Sequence, residues 1–397
     1  MKNDKRTVGI LFLCLALATV ARATAGEAEA SKGAHFGPLD CCDGGHVSPA
    51  SGGQRVCWGE DCSACPCVYG YIEGLFLQRN NSSLDQPILV QTVNDSVTNV
   101  LSTSDLDFDF DPGLRVVLGR HLHCGWALEG SYLGLFDARA SMFVLSPPKD
   151  PDEPNPTGFP GGLGAGTNVF PDITRSWTDY SSSMHSAELN LVSCRGYASC
   201  CEQGKGGGDS KGCGCSDFRH QLTVEWLAGF RYLRLREQLH IYAEADREPT
   251  GDQAVEPESG YYDIRTGNHL YGAQSGVRLR RWSDRLGWEA TGKAGIFGND
   301  VYQRQSVIDW DNGPFERRSA SKASGQVAFV GELNVTGIYR LNDVWNLRAG
   351  YNVIWVAGVA LAPDQLDFSG LTPSGDQLRS HGDVFLHGAS CGLEARW

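Results

Sequence analysis

The stretch Phe218–Tyr232, FRHQLTVEWLAGFRY, decides the reading of this chain. One parity carries Phe218, His220, Leu222, Val224, Trp226, Ala228, Phe230 and Tyr232. The other carries Arg219, Gln221, Thr223, Glu225, Leu227, Gly229 and Arg231. Successive strand side chains point to opposite faces, so this is a β-strand with one apolar and one polar side. A helix would mix the two sets.

The pattern recurs over Trp126–Phe136, Trp288–Ile296, Val327–Tyr339, Trp345–Trp355 and Phe385–Trp397. Soluble strands usually run to about 5–6 residues. A tilted membrane strand needs about 9–11. Segments this long, with aromatic-rimmed apolar faces, predict an all-β protein: a transmembrane antiparallel β-barrel with few helices. A charge facing lipid at mid-membrane costs roughly 2–4 kcal/mol for Arg or Lys. The charged parity therefore turns inward, and Arg115, Glu129, Glu188, Glu225, Arg231, Lys293, Glu332, Arg348 and Glu394 are the expected lumen-facing residues. The competing arrangement is a soluble sandwich, with apolar side chains inside and polar ones outside.

About twelve strands are predicted, within a range of ten to fourteen. They fall at 69–79, 112–121, 124–136, 182–194, 218–234, 237–246, 261–267, 268–281, 286–298, 324–340, 344–357 and 383–397. Long loops are expected at 137–181, 195–217, 299–323 and 358–382, and a short turn at Leu341–Val344. The barrel thus occupies 68–397.

Residues 1–25 read as an address rather than as fold. Lys2, Lys5 and Arg6 precede an apolar run of 14 residues, Thr7–Val20, and small-x-small cleavage sites follow at Ala21–Ala23 and Ala23–Ala25. This is the form of a secretory signal peptide. Of 397 residues, 34 are Lys or Arg and 47 Asp or Glu, a net charge of −13. Removing the segment takes away a net +3 and leaves −16. No basic face for nucleic acid is expected from such a balance.

Export leads to an oxidising compartment, where disulfides persist. Cys41, Cys42, Cys57, Cys62, Cys65 and Cys67 cluster in a Cys- and Gly-rich extension over 26–67. Cys194, Cys200, Cys201, Cys213 and Cys215 cluster in a later loop. The pairs Cys62-x-x-Cys65 and Cys213-x-Cys215 have ligand-like spacing, but paired CxxC motifs or spaced histidines do not accompany them. Disulfide stapling is the expected use, with no metal and no cofactor. Cross-linking between copies through these tracts is the alternative.

Chemistry-bearing motifs are few. Asp105, Asp107, Asp109 and Asp111 alternate with Leu106, Phe108 and Phe110, as a solvated edge would, although four carboxylates on one face could hold calcium. Gly161–Gly166 lacks the strand–loop–helix and the Gly-Lys-Ser/Thr of a nucleotide loop. HExxH does not occur, no nucleophile elbow is read in the chain, and no enzyme is expected.

Several segments resemble the planctomycete-type outer-membrane β-barrel porin family. They are Tyr71–Arg79 (YIEGLFLQR), Phe110–Gly119 (FDPGLRVVLG), Asn268–Gly276 (NHLYGAQSG), Phe329–Leu333 (FVGEL), Leu347–Tyr351 (LRAGY) and Gly388–Trp397 (GASCGLEARW). The resemblance covers most of 69–397. It implies a signal-cleaved barrel in the bacterial outer membrane with channel activity. By similarity to other outer-membrane barrels, Trp397 and its strand form the signal read by the barrel-assembly machinery. The expected partners are outer-membrane lipid, that machinery, small solutes or ions, and further copies of the chain. The expected function is a porin-like passive diffusion channel with a charged lumen. The alternative is a closed barrel serving as a structural or adhesive surface protein.

Overall fold

The computed structural model describes residues 68–81, 83–93, 96–122, 126–146, 157–160, 173–193, 222–245, 258–309, 316–368 and 377–396. The signal segment, the extension over 26–67, the loop at 195–217, Trp397 and all eleven clustered cysteines lie outside these residues.

Among the described residues thirteen strands form: β1 (Val68–Asn80), β2 (Pro87–Val93), β3 (Ser96–Ser102), β4 (Phe110–His121), β5 (Trp126–Leu145), β6 (Thr157–Gly158), β7 (Ile173–Ser193), β8 (Thr223–Ala245), β9 (Glu258–Ser283), β10 (Leu286–Asp309), β11 (Glu316–Arg340), β12 (Trp345–Val359) and β13 (Gly382–Arg396). Ten of them close a barrel in the order β1-β13-β12-β11-β10-β9-β8-β7-β5-β4, every neighbour antiparallel. The remaining three make a small separate sheet, β3-β2-β6. Closure leaves the barrel without an open edge.

Ten barrel strands replace the expected twelve, because two expected breaks are continuous strand. Segments 218–234 and 237–246 merge in β8, and 261–267 and 268–281 merge in β9. The cause lies in the pattern itself. Along β8, outward positions are apolar from Val224 through Trp226, Ala228 and Phe230 to Tyr232, then become Arg234, Arg236, Gln238 and His240. Inward positions run Glu225 and Arg231, then become Leu233, Leu235, Leu239 and Ile241. The strand inverts its amphipathic phase at Tyr232–Arg234 without bending. A phase inversion mimics a turn in sequence.

The same inversion runs through neighbouring strands. On β9 the outward Tyr271 gives way to His269 and Arg265 while inward Gln274 gives way to Leu270 and Ile264. On β10 outward Ile296 gives way to Asp300 and Arg304 while inward Lys293 gives way to Phe297. The physical reading is a change of outer solvent. One half of the barrel, nearer the short turns, shows lipid an apolar surface and keeps charge inside. The other half stands in water and keeps apolar side chains inside, as a soluble barrel does. The lipid-facing band on β8, Val224 to Tyr232, matches a membrane crossing of about 9 residues. Exposed apolar side chains of the band around the barrel include Trp226 on β8 at 61%, Ile296 on β10 at 70% and Val327 on β11 at 74%. A water-soluble monomer rarely shows so continuous an apolar surface.

The loop bounds change accordingly. The region expected as loop 137–181 contains the ends of β5 and β7, and the region 299–323 contains the ends of β10 and β11. Outward positions there include Asp137, Arg139, Ser141, Asp179, Asp300 and Arg304, with Phe143, Leu145 and Trp177 as exposed apolar exceptions, and these strand ends project beyond the lipid-facing band. The β9 Thr266-Gly267-Asn268 sequence looks like a turn for a further reason. Gly267 is there because the Tyr302 ring lies within 2.3 Å of where a Cβ would stand. At the other end, the expected Leu341–Val344 turn forms, with Asn342 Oδ1 accepting from the Val344 and Trp345 N–H groups.

Within the segment expected as loop 358–382, residues 358–368 fold into the barrel. Gly358 has φ of +80°, a conformation only glycine adopts without strain. It lets the chain leave the β12 ladder at a bulge between Ala357 and Val359. Val359–Ala362 and Leu366 are then fully buried, around a 3-10 turn at Pro363–Gln365. A second inward filling comes from the chain between β1 and β4, through Ile88, Leu89, Leu101, Leu106 and Phe108. Both pack on wall residues such as Leu75, Leu77, Leu235, Ile264 and Ile354 in one apolar cluster. Asp105, Asp107 and Asp109 stay exposed while Leu106 and Phe108 are buried, so this run is a solvated edge, but not a strand. No group of His, Cys, Asp and Glu among the described residues could hold a metal.

Candidate functional site: the barrel interior

The parity that faces inward through the lipid-facing half places all nine expected lumen residues inside the barrel. The structure brings them together with five partners that sequence reasoning did not single out: Glu73, Arg278, Arg280, Glu289 and Arg396. Strand parity alone marks these five, since each shares the inward face of its strand with an expected residue or with a buried neighbour.

Arg348 on β12 is the hub. Its Nε donates to Glu73 at 2.8 Å, one terminal nitrogen to Glu394 at 2.7 Å and the other to Glu289 at 3.0 Å. The guanidinium also lies 4.1 Å from the Tyr71 ring centre. Four strands thus meet at one cation. Glu73 links this hub to Arg115 at 3.5 Å, and Arg115 continues to Glu332 at 2.7 Å and Asn352 at 2.7 Å. Glu332 also takes Arg231 at 2.9 Å and Lys293 at 3.1 Å, and Lys293 reaches Glu188 at 2.9 Å. Arg280 pairs with Glu289, and Arg396 with Glu394. A further cluster nearer the turns joins Arg278 to Glu129 at 2.9 Å and to Glu225 at 3.5 Å, with the Tyr69 hydroxyl donating to Glu129.

Seven carboxylates face seven cations: Glu73, Glu129, Glu188, Glu225, Glu289, Glu332 and Glu394 against Arg115, Arg231, Arg278, Arg280, Lys293, Arg348 and Arg396. The interior of the lipid-facing half is electrically self-compensated. The acidic balance of the whole chain has no counterpart there. The hub side chains Glu73 and Arg348 are each 1% exposed. A side chain lining a water-filled channel would be wet. These are packed on one another, and each charge is stabilised by its partner rather than by solvent.

In the water-facing half the interior holds one fully buried pair, Arg79 and Glu237 at 2.7 Å. The Arg79 guanidinium lies against both the Phe108 and Tyr180 rings, 4.9 Å from each centre, and the two rings meet edge-on. Glu237 accepts the Tyr180 hydroxyl at 2.8 Å and the Ala362 N–H at 2.9 Å. One ion pair therefore ties both inward segments to the wall, through Phe108 on one side and Ala362 on the other. Asn268 adds a reciprocal pair of bonds with the backbone of Ala360, and Gln305 donates to the Gln365 carbonyl. The Asp364 carboxylate accepts from Leu84 N–H at 2.8 Å, joining the two segments directly. Burial pushes its carboxyl above the ordinary aspartate range.

A protein-family model described as Putative beta barrel porin-7 (BBP7) matches residues 176–397. No curated protein matches the chain. Among solved structures, the outer-membrane protease OmpT of Escherichia coli is 9% identical, with 83% of this chain and 97% of that one covered at a TM-score of 0.40. A Pseudomonas aeruginosa FadL homologue is 9% identical, covering 85% and 91% at a TM-score of 0.29. The Pseudomonas putida toluene transporter TodX is 8% identical, covering 85% and 91% at a TM-score of 0.22. At these values none bears on function.

Proposed function

The chain belongs to the BBP7 family of β-barrel porins, whose model spans more than half of it, and on that premise we propose that it is an outer-membrane barrel whose resting state is closed. In this reading it serves the bacterial envelope as a structural surface protein rather than as an open diffusion pore. One observation carries the reading: the inward charges of the lipid-facing half are matched seven to seven, eleven of them buried and Glu188, Arg280 and Lys293 half-buried, while the water-facing half is filled by apolar packing. Solute passage would require breaking both. Signal-dependent export, and cross-linking of copies through the two Cys-rich tracts, belong to the same proposal. The test is planar-bilayer recording of refolded protein. The expected result is silence or rare brief openings, and a steady conductance would overturn it.

A second reading is a gated diffusion channel. The concentration of inward-segment anchors on the Arg79–Glu237 pair favours it, because one broken pair would loosen both fillings. Openings that appear only when this pair is disrupted would support it.

A further inference from the structure

The outer face of the barrel carries a groove of about 740 Å³ across β7–β11, outside the interior network. Ser181, Ser183, Arg236, Arg265, Tyr302 and Arg304 line it from the outward parity. On β8 it begins at Arg236, and the row Arg234–His269–Asp300 separates it from the apolar band that ends at Tyr232. Ser183, Arg236 and Tyr302 fall in successive register with Gly267, whose missing side chain makes room for the Tyr302 ring.

Its charges are unbalanced. Arg265 is engaged by Asp263 at 2.9 Å, and Asp263 also accepts from Gln238. Asp137 is engaged by Arg139. Among the described residues, no carboxylate lies within ion-pair distance of Arg234, Arg236 or Arg304. Asp300 stands across the ladder from His269, in the row below the groove. Arg304 is the direct cross-strand partner of Arg265. Like charges directly opposite destabilise a sheet; Asp263 already meets Arg265, so an anion beside Arg304 would relieve the charge that remains. The arginine fork fits phosphate oxygens, and serine hydroxyls supply further donors. Beneath the groove, the outward Phe230, Tyr232 and Tyr271 continue as an apolar wall along which an acyl chain could lie.

We propose that this groove holds the phosphate-bearing headgroup of a membrane lipid, with Arg236 and Arg304 as its principal ligands. The proposal rests on reading the apolar band as membrane-spanning. A free phosphate would use only the arginines, whereas a lipid uses the apolar wall as well.

The test uses full-length protein in an uncharged detergent, titrated with dioleoyl phosphatidic acid, dioleoyl phosphatidylcholine or inorganic phosphate, with bound species counted by native mass spectrometry. Phosphatidic acid should be retained over phosphatidylcholine, and inorganic phosphate should compete only weakly. Surface cations contribute about fivefold each to anionic-lipid binding, so Arg236→Gln/Arg304→Gln should bind phosphatidic acid about thirtyfold more weakly. Arg285→Gln, at the turn on the opposite end, should behave as wild type. Equal retention of the two lipids, or an unchanged double variant, would overturn the proposal. Inorganic phosphate binding as tightly as phosphatidic acid would overturn the lipid assignment. Insertion into phosphatidylcholine vesicles, scored by heat-modifiable gel migration, separates the two levels: protein that inserts but shows no preference refutes only the groove, and protein that fails to insert refutes the membrane reading beneath it.

Discussion

Arg348→Met is the substitution that most directly separates a packed interior from a hydrated one. Methionine keeps most of the volume and removes the charge. Three carboxylates lose a partner at 2.7–3.0 Å: Glu73, Glu289 and Glu394. Glu289 retains Arg280 and Glu394 retains Arg396, but Glu73 keeps only Arg115, at 3.5 Å. The network passes from neutral to one excess negative charge. Removing one member of a desolvated ion pair costs about 3–5 kcal/mol. The same change in a water-filled lumen would cost about 0–1 kcal/mol, the worth of an exposed pair. The assay is reversible urea unfolding in detergent micelles or lipid vesicles, followed by tryptophan fluorescence. A loss of at least about 3 kcal/mol is expected. Adding Glu73→Gln removes the most orphaned carboxylate and should restore a substantial part of the loss, a coupling that a double-mutant cycle measures directly. A loss below about 1 kcal/mol with no coupling would refute the closed interior.

Other expectations follow from the inward segments. Glu237→Ala removes the shared anchor of Arg79, Tyr180 and Ala362 and leaves Arg79 buried without its carboxylate. It should cost about 3–5 kcal/mol and bring intermittent openings in bilayer recordings; unchanged stability and unbroken silence would show that the pair anchors nothing. Gly358→Val forces a branched side chain to φ of +80° and sets its Cβ about 2.6 Å from the Val327 carbonyl. The left-handed conformation alone costs about 1–2 kcal/mol, so an unshifted urea midpoint would argue against the inward turn. Asp364 bears on pH dependence. Its folded-state pKa is raised by burial, so the folded state favours the neutral form. The stability it contributes is full below the ordinary aspartate range and is lost as pH rises through the raised value. Asp364→Asn keeps an acceptor for Leu84 N–H and should flatten the difference between acidic and neutral urea midpoints; an unchanged pH profile would rule out this residue as its source.

Much of the barrel was legible in sequence because the alternation over Phe218–Tyr232 and its counterparts has a period no helix shares. The nine inward charges were legible for the same reason: lipid forbids their parity outside. The partners Glu73, Arg278, Arg280, Glu289 and Arg396 share that parity but entered no pairing argument, since pairing across a barrel joins residues as far apart as Glu73 and Arg348. The strand count failed at Tyr232–Arg234 and at Gly267–Asn268, where a change of outer solvent reverses the pattern. A chain read one residue at a time cannot distinguish that reversal from a turn.

What the sequence by itself determined is local and periodic: which segments extend, which face each charge takes, and where apolar surface meets lipid. Only the tertiary structure decided that the interior is filled. Charge neutrality in the lumen is a property of seven acids and seven bases brought together from all ten barrel strands. The turn of Val359–Leu366 into the barrel depends on wall residues that only closure assembles. The physical reason is distance along the chain. Alternation is written over a dozen neighbouring residues, whereas an occluded lumen exists only after the first barrel strand, β1, has paired with the last, β13.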